Sequence, residues 1–193
     1  MVVRTLTKGI GHIPKNISPA IDVHKRILLD RLPSILRGYG KTPDIDAVVI
    51  ICDVDNRNKD EFLAELNNIL DSCDTKPNAL FCLAVEEFEA WYLGDLQAIQ
   101  KAYPSADMRI LGSYINDSVC GTWELLANAI YKGGHKVLKN KGWQAVGLQK
   151  SIWAKEISPH MNVTNNSSPS FQEMREMLRE SLNSFKESPH VEL

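Results

Sequence analysis

The chain lacks any apolar run long enough to cross a membrane, and its N-terminus lacks the basic-then-apolar order of a secretory signal. Both absences point to a cytoplasmic protein with no membrane partner. Cysteine is sparse: Cys52 and Cys82 lie in apolar runs, Cys73 in a turn-like segment and Cys120 before a glycine. None of them forms the Cys-x-x-Cys pair that zinc would need, so reduced thiols are expected. The Asn-x-Ser/Thr matches at Asn116, Asn162, Asn165 and Asn166 carry no meaning without a secretory route. There is no internal repeat. Gly133-Gly134-His135 matches neither a phosphate-binding loop nor a metal cluster, and reads as a turn. Acidic residues are missing altogether from Lys132 to Lys155, so the formal net charge of -2 conceals a strong local asymmetry.

What is present suffices for a real core. With 193 residues, 44% hydrophobic and 24% charged, the chain fits one globular domain or one domain with a sizeable appendage. Residues 2–6 read as a short strand, followed by an irregular loop through Gly9, Gly11, Pro14 and Pro19. Ile21, His24, Ile27, Leu28, Leu32, Ile35 and Leu36 recur at helical spacing over residues 19–38, with Pro33 placed to kink or divide the helix. Residues 47–52 read as a buried strand. A helix capped by Asp60 or a neighbour follows, with Phe62, Leu63, Leu66, Ile69 and Leu70 on one face. Residues 79–85 read as a second buried strand, and strand-helix-strand alternation predicts a parallel pair. The second half is more helical, with helices near residues 96–102, 123–131 and 147–157. Ser170-Phe171-Gln172-Glu173 reads as a capping box opening a last helix, whose Phe171, Met174, Leu178, Leu182 and Phe185 form an apolar stripe. The expected organisation is an α/β core over residues 1–95, a helical region over 96–187 packed on it, and a loose tail over 188–193.

The most informative segment is Val49-Ile50-Ile51-Cys52-Asp53-Val54-Asp55, where a buried-strand pattern runs into two carboxylates one residue apart. The C-terminal ends of strands are where open α/β sheets place ligands. Two like charges so close are relieved by a hard divalent cation held through oxygen, here Mg²⁺ or Mn²⁺. Without such an ion, an Asp-x-Asp loop simply caps local backbone N–H groups.

A second acidic cluster, Glu86-Glu87-Phe88-Glu89-Ala90-Trp91-Tyr92, leaves the second strand at the same sheet edge if the strands are parallel. Glu89 lies on the apolar arc of Val85, Phe88, Trp91, Tyr92 and Leu93, so its carboxylate needs a metal, a basic side chain or backbone N–H groups as a partner. Glu87 reads as an ordinary acidic start to a helix. From 132 to 155, Lys132, Lys136, Lys139, Lys141, Lys150 and Lys155 alternate with Trp143 and Trp153. Lysines attract phosphates irrespective of sequence and tryptophans stack on unpaired bases, so Lys132, Lys136, Lys139, Lys141 and Trp143 are candidate nucleic-acid contacts; a solvated lysine face, with Trp153 in the core, is the plainer alternative.

Together, Val-Ile-Ile-Cys-Asp-Val-Asp at 49–55, Val-Glu-Glu-Phe-Glu-Ala-Trp-Tyr-Leu-Gly-Asp at 85–95 and Asn-Ser-Ser-Pro-Ser-Phe at 166–171 resemble an uncharacterised prokaryotic Toprim-like family often encoded beside AAA-type ATPases. Gly121-Thr122-Trp123-Glu124 and the segment from Lys150 to Trp153 add to the resemblance. It implies a Rossmann-like, Toprim-type, mainly parallel sheet with a helical C-terminal half, and a Mg²⁺-dependent phosphodiesterase or nuclease component acting with an ATPase in defence against foreign DNA. Asp53 and Asp55 would be its Asp-x-Asp pair, with Glu89 completing the metal and catalytic site. The family usually opens with a strand and a Glu-Gly segment, and no glutamate precedes Asp22 here, so the first strand-helix unit is expected to be missing. That departure favours a second reading, a non-catalytic binding module acting through a protein partner. An exposed strand edge would favour pairing with a partner or another copy of the chain. A phosphoacceptor receiver ranks third, because its separate acidic pair and lysine cannot be located.

Overall fold

The computed structural model describes residues 3–7, 23–43, 45 and 47–187. The expected loop through Gly9, Gly11, Pro14 and Pro19, together with Ile21 and the tail over 188–193, lies outside the described residues. The fold is mixed α/β and divides into two compact units that interleave along the chain: Met1–Cys52, Arg57–Leu83 and Glu176–Leu193 form one, Asp53–Asn56 and Ala84–Arg175 the other.

The first unit carries β1 (Val3–Thr7), α1 (Val23–Gly40), β2 (Ala47–Asp53), α2 (Lys59–Asp71) and β3 (Ala79–Ala84). The strand order is β1-β2-β3. β1 and β2 run parallel, with Val3 opposite Ala47 and Thr7 opposite Ile51. The Val48 N–H donates to the Asn78 carbonyl at 2.8 Å and the Val54 N–H to that of Ala84 at 2.9 Å, a constant offset that makes β3 parallel to β2. Successive side chains of β2 point to opposite faces, yet Val48, Val49, Ile50 and Cys52 are all buried, so both faces of this strand are covered. α1 runs unbroken through Pro33, and Leu32 and Leu36 are fully buried on it. The N-cap of α2 is Asn58 rather than Asp60: the Asn58 carboxamide oxygen accepts from the Asp60 and Glu61 N–H groups at 2.9 and 3.1 Å. The two acids then occupy the first turn, where the helix dipole favours them.

The second unit is helical: α3 (Glu89–Leu93), α4 (Leu96–Ala102), α5 (Met108–Leu111), α6 (Thr122–Ile130), α7 (Gly134–Asn140), α8 (Trp143–Ile157), and the start of α9 (Pro169–Glu187). Leu93, Ile99, Leu111, Leu126, Leu138, Trp153 and Ile157 make its core. The Gly-Gly turn before α7 holds, because Gly133 and Gly134 adopt φ of 88° and 69°, which side chains disfavour.

The segment entering α9 is fastened by a buried polar knot. Asn166 donates to the Trp91 carbonyl at 2.7 Å and accepts from the Ser168 N–H at 2.9 Å. Asp117 accepts from the Ser168 hydroxyl at 2.7 Å and from the Ser170 N–H at 2.6 Å, and the Trp91 indole N–H donates to the Ser170 hydroxyl at 3.0 Å. The cap of α9 is therefore Ser168, whose hydroxyl accepts from the Phe171 N–H at 3.3 Å, and not the Ser170 of the expected capping box. Pro169 occupies the first helical position, where its missing N–H costs nothing, and that shifts the helix start two residues earlier.

Candidate functional site

Asp53 is the last residue of β2, and its carboxylate accepts the Phe88 N–H at 3.1 Å. The acids that follow β3 are thus tied to the end of β2 by a direct bond within the second unit. Glu86 adopts φ of 59°, and its carboxylate accepts from the N–H groups of Cys120, Gly121 and Thr122 at 3.3, 2.7 and 3.0 Å. It caps the start of α6, which has no side-chain cap of its own. α3 begins at Glu89, so Glu87 is not part of an ordinary helix start. The Glu87 carboxylate instead lies 3.1 Å from the Lys150 ammonium and accepts from the Thr122 hydroxyl at 3.4 Å.

Glu89 is only 2% exposed, and its Oε2 lies 3.0 Å from the same ammonium. Beyond that ammonium, no hydrogen-bond donor among the described residues reaches Oε2. Burial pushes the Glu89 carboxyl up to about 7, with Lys150 pulling the other way and Glu87 and Asp53 adding to the rise. Burial alone would lower the Lys150 pKa, but Glu89, Glu87 and Asp53 override it and hold the ammonium above its ordinary value. Tyr92 belongs to the same group: burial and then Glu89 raise its phenol.

The Phe88 bond thus sets Asp53 beside the residue that precedes Glu89. Asp55 follows on a left-handed turn at φ of 55°, with its N–H donating to the Glu86 carbonyl at 2.7 Å. Among the described residues, no three His, Cys, Asp or Glu side chains stand in a ready metal-ligand arrangement. Carboxylate oxygens are nonetheless the hard donors that Mg²⁺ selects, and here the buried Glu89 oxygen is occupied by the Lys150 ammonium.

Sequence reasoning missed Glu87, Lys150 and Tyr92 as members of this group. A signal for Lys150 existed: Val146, Lys150, Trp153 and Ile157 fall on one helical stripe, and the three apolar members are buried. A lysine on a core stripe implies a buried anion.

The other candidates lie on α7, α8 and the turns around them. Lys132, Lys136, Lys139 and Lys141 are exposed, and Trp143 is 50% exposed. The Lys139 ammonium stands over the Trp143 ring at 5.4 Å, and that of Lys141 is 2.8 Å from the Tyr131 hydroxyl. Trp143 packs edge-on against Trp123, which also meets the His135 ring; Asn128 fixes that ring by accepting from its backbone N–H at 3.1 Å and contacting Nδ1 at 2.8 Å. Trp153, by contrast, is fully buried core. Among the described residues, no helix is long and apolar enough to cross a membrane.

Fold and site together define a mixed α/β domain with a partly buried carboxylate cluster after two parallel strands. The chain belongs to the family described as a domain of unknown function, DUF4276, which it matches over residues 4–179. No curated protein and no solved structure matches it significantly.

Proposed function

We propose that this domain is a Toprim-like, Mg²⁺-dependent phosphodiesterase or nuclease component, built on a Toprim-type Rossmann-like sheet and working with an AAA-type ATPase partner in cytoplasmic defence against foreign DNA. The observation that carries this reading is the bond from the Phe88 N–H to Asp53, which ties the acids after β3, the buried Glu89 carboxylate among them, to the end of β2. Their position after parallel strands is where α/β sheets bind ligands. Asp53, Asp55 and Glu89 would hold Mg²⁺ or Mn²⁺, which supplies a lowered pKa for attacking water and charge stabilisation at phosphorus. The bond from the Phe88 N–H orients the Asp53 carboxylate, and burial keeps Glu89 from wasting its oxygens on solvent. Lys132, Lys136, Lys139 and Lys141 supply attraction to the phosphate backbone, and the exposed Trp143 face supplies a stacking platform. β1 stands at an edge of the described sheet, which suits pairing with a second copy.

The test is cleavage of single- and double-stranded DNA by the purified chain, alone and with its ATPase partner, in Mg²⁺, Mn²⁺ or EDTA. Metal-dependent cleavage that Asp53→Ala abolishes is the expected result. Absence of metal-dependent cleavage, or an Asp53→Ala variant equal to the parent, overturns the reading. A second reading, a non-catalytic binding module acting through a protein partner, draws on one observation: Lys150 already balances Glu87 and Glu89 from within. Under it, partner binding survives Asp53→Ala.

A further inference from the structure

The chain has four tryptophans. Trp91, Trp123 and Trp153 are 6% exposed or less, whereas Trp143 is 50% exposed. A lone exposed indole is ordinary on a protein surface, but this one is mounted. It packs edge-on against Trp123 at 6.2 Å between centroids, and Trp123 meets the His135 ring in the same manner at 6.4 Å. His135 is in turn fixed at both its backbone N–H and its Nδ1 by the Asn128 carboxamide oxygen. Cations flank the ring. The Lys139 ammonium lies 5.4 Å over Trp143, and that of Lys141 lies 5.4 Å over the Tyr131 ring and 2.8 Å from its hydroxyl. Both lysines are exposed, and α7 and the turn into α8 carry no acid that would offset them.

We propose that Trp143 with Lys139, Lys141 and Tyr131 binds a single unpaired nucleic-acid strand, one base stacking on the Trp143 ring and the phosphates on either side meeting the two ammonium groups. This rests on the nucleic-acid reading above and deepens it by naming the substrate class. A duplex keeps its base faces stacked within the helix and offers phosphates and groove edges, to which an indole face adds nothing. An unpaired base presents a flat π-face whatever its sequence. Base stacking on an aromatic ring outweighs a solvent-exposed cation–π contact, so the base takes the ring face and leaves Lys139 at the rim for the neighbouring phosphate. With one N–H used on the Tyr131 hydroxyl, the Lys141 ammonium keeps donors for a phosphate. The platform is also joined to the carboxylates. Thr122 and Trp123 open α6 side by side, the Thr122 hydroxyl donating to Glu87 at 3.4 Å and Trp123 carrying the Trp143 ring. A strand on Trp143 is therefore held by the same turn of α6 that contacts the acid cluster.

The test measures binding by the full chain in EDTA, with a fluorescently labelled oligothymidylate of about 12 nucleotides and a duplex of equal length as probes. The parent should bind the single strand about tenfold more tightly than the duplex, and the strand should quench tryptophan fluorescence where the duplex does not. Trp143→Ala should weaken single-strand binding about tenfold and leave duplex binding unchanged, while Trp143→Phe, which keeps a ring, retains most of it. Lys139→Gln should weaken both alike and lower the salt dependence by about one counter-ion. Equal affinity of the parent for strand and duplex overturns the proposal, as does a Trp143→Ala protein that binds the strand like the parent. Capture of the chain by phosphatidylserine vesicles, with no oligonucleotide bound, overturns it in favour of an anionic membrane surface. The comparison of strand with duplex needs no variant, so a misfolded substitution does not leave the question open. Strand binding without any metal-dependent cleavage removes the nuclease reading and leaves this site standing, whereas Asp53-dependent cleavage by a chain with no strand preference does the reverse.

Discussion

Two polar groups in the second unit, one mostly neutral and one charged, end in opposite states. In the knot at the start of α9, Asn166, Ser168, Ser170 and Asp117 exchange short hydrogen bonds with one another and with Trp91. In the cluster of Asp53, Glu87, Glu89 and Lys150, charge is concentrated and the buried Glu89 Oε2 depends on one ammonium that Glu87 shares. A satisfied network rigidifies and specifies a structure, whereas a partly satisfied one is held only because something else requires it. The contrast recurs within one tripeptide step, for Glu86 accepts three backbone N–H groups while Glu89 Oε2 accepts none. Position in a sequence motif does not separate architecture from chemistry; the donor count does.

The sharpest way to break the knot is Gly94→Ala. Gly94 has an ordinary helical φ of -71°, so alanine brings no backbone strain, but its Cβ would meet Asn166 Oδ1 and would lie 2.8 Å from the Ser168 backbone nitrogen. Overpacking against a hydrogen-bonded segment should cost about 3 kcal/mol of stability, measured by urea unfolding. An unchanged unfolding midpoint would show that the knot is loose and remove the basis of the comparison. Glu86→Ala comes next. It leaves the Cys120, Gly121 and Thr122 N–H groups without their acceptor, and should cost about 2 kcal/mol in the same measurement. A cost near zero would mean that water replaces the carboxylate, and would return Glu86 to the list of groups free for chemistry.

The sequence made the strands legible because β2 and β3 are continuous apolar runs, buried on both faces where a central strand must be. α4 starts and stops where its spacing indicated. The spacing predicts α8 only from Gly147, whereas it begins at Trp143, since Gly142 at φ of 92° opens the helix with no side-chain cap to announce it. α3, α5 and α7 are too short for periodicity to register. The tie between the end of β2 and the acids after β3, made by the Phe88 N–H on Asp53, fits the expectation from parallel strands ending in acids. The part played by Glu87 was not legible, because an acid near a helix start has an innocent explanation that only the Lys150 contact displaces. The same holds for Lys150 itself, hidden among lysines that are exposed.

The smallest expected effect tests the cluster from its own side. Glu89 has an ordinary carboxyl value of 4.5 in the unfolded chain and is pushed up to about 7 in the folded one by burial. The folded state therefore holds this proton more tightly. Its contribution to stability is full below about 4.5 and is lost as pH rises through about 7. Glu89→Gln imitates the protonated carboxyl at every pH, and Lys150 keeps Glu87 as its partner, so the substitution does not strand a buried ammonium. In EDTA, urea unfolding should give equal stability for parent and variant near about pH 4, with the variant ahead near pH 8. A gap that does not change with pH would mean that the ionised Glu89 is fully compensated by Lys150. The cluster would then be as satisfied as the knot, and the difference between the two regions would vanish.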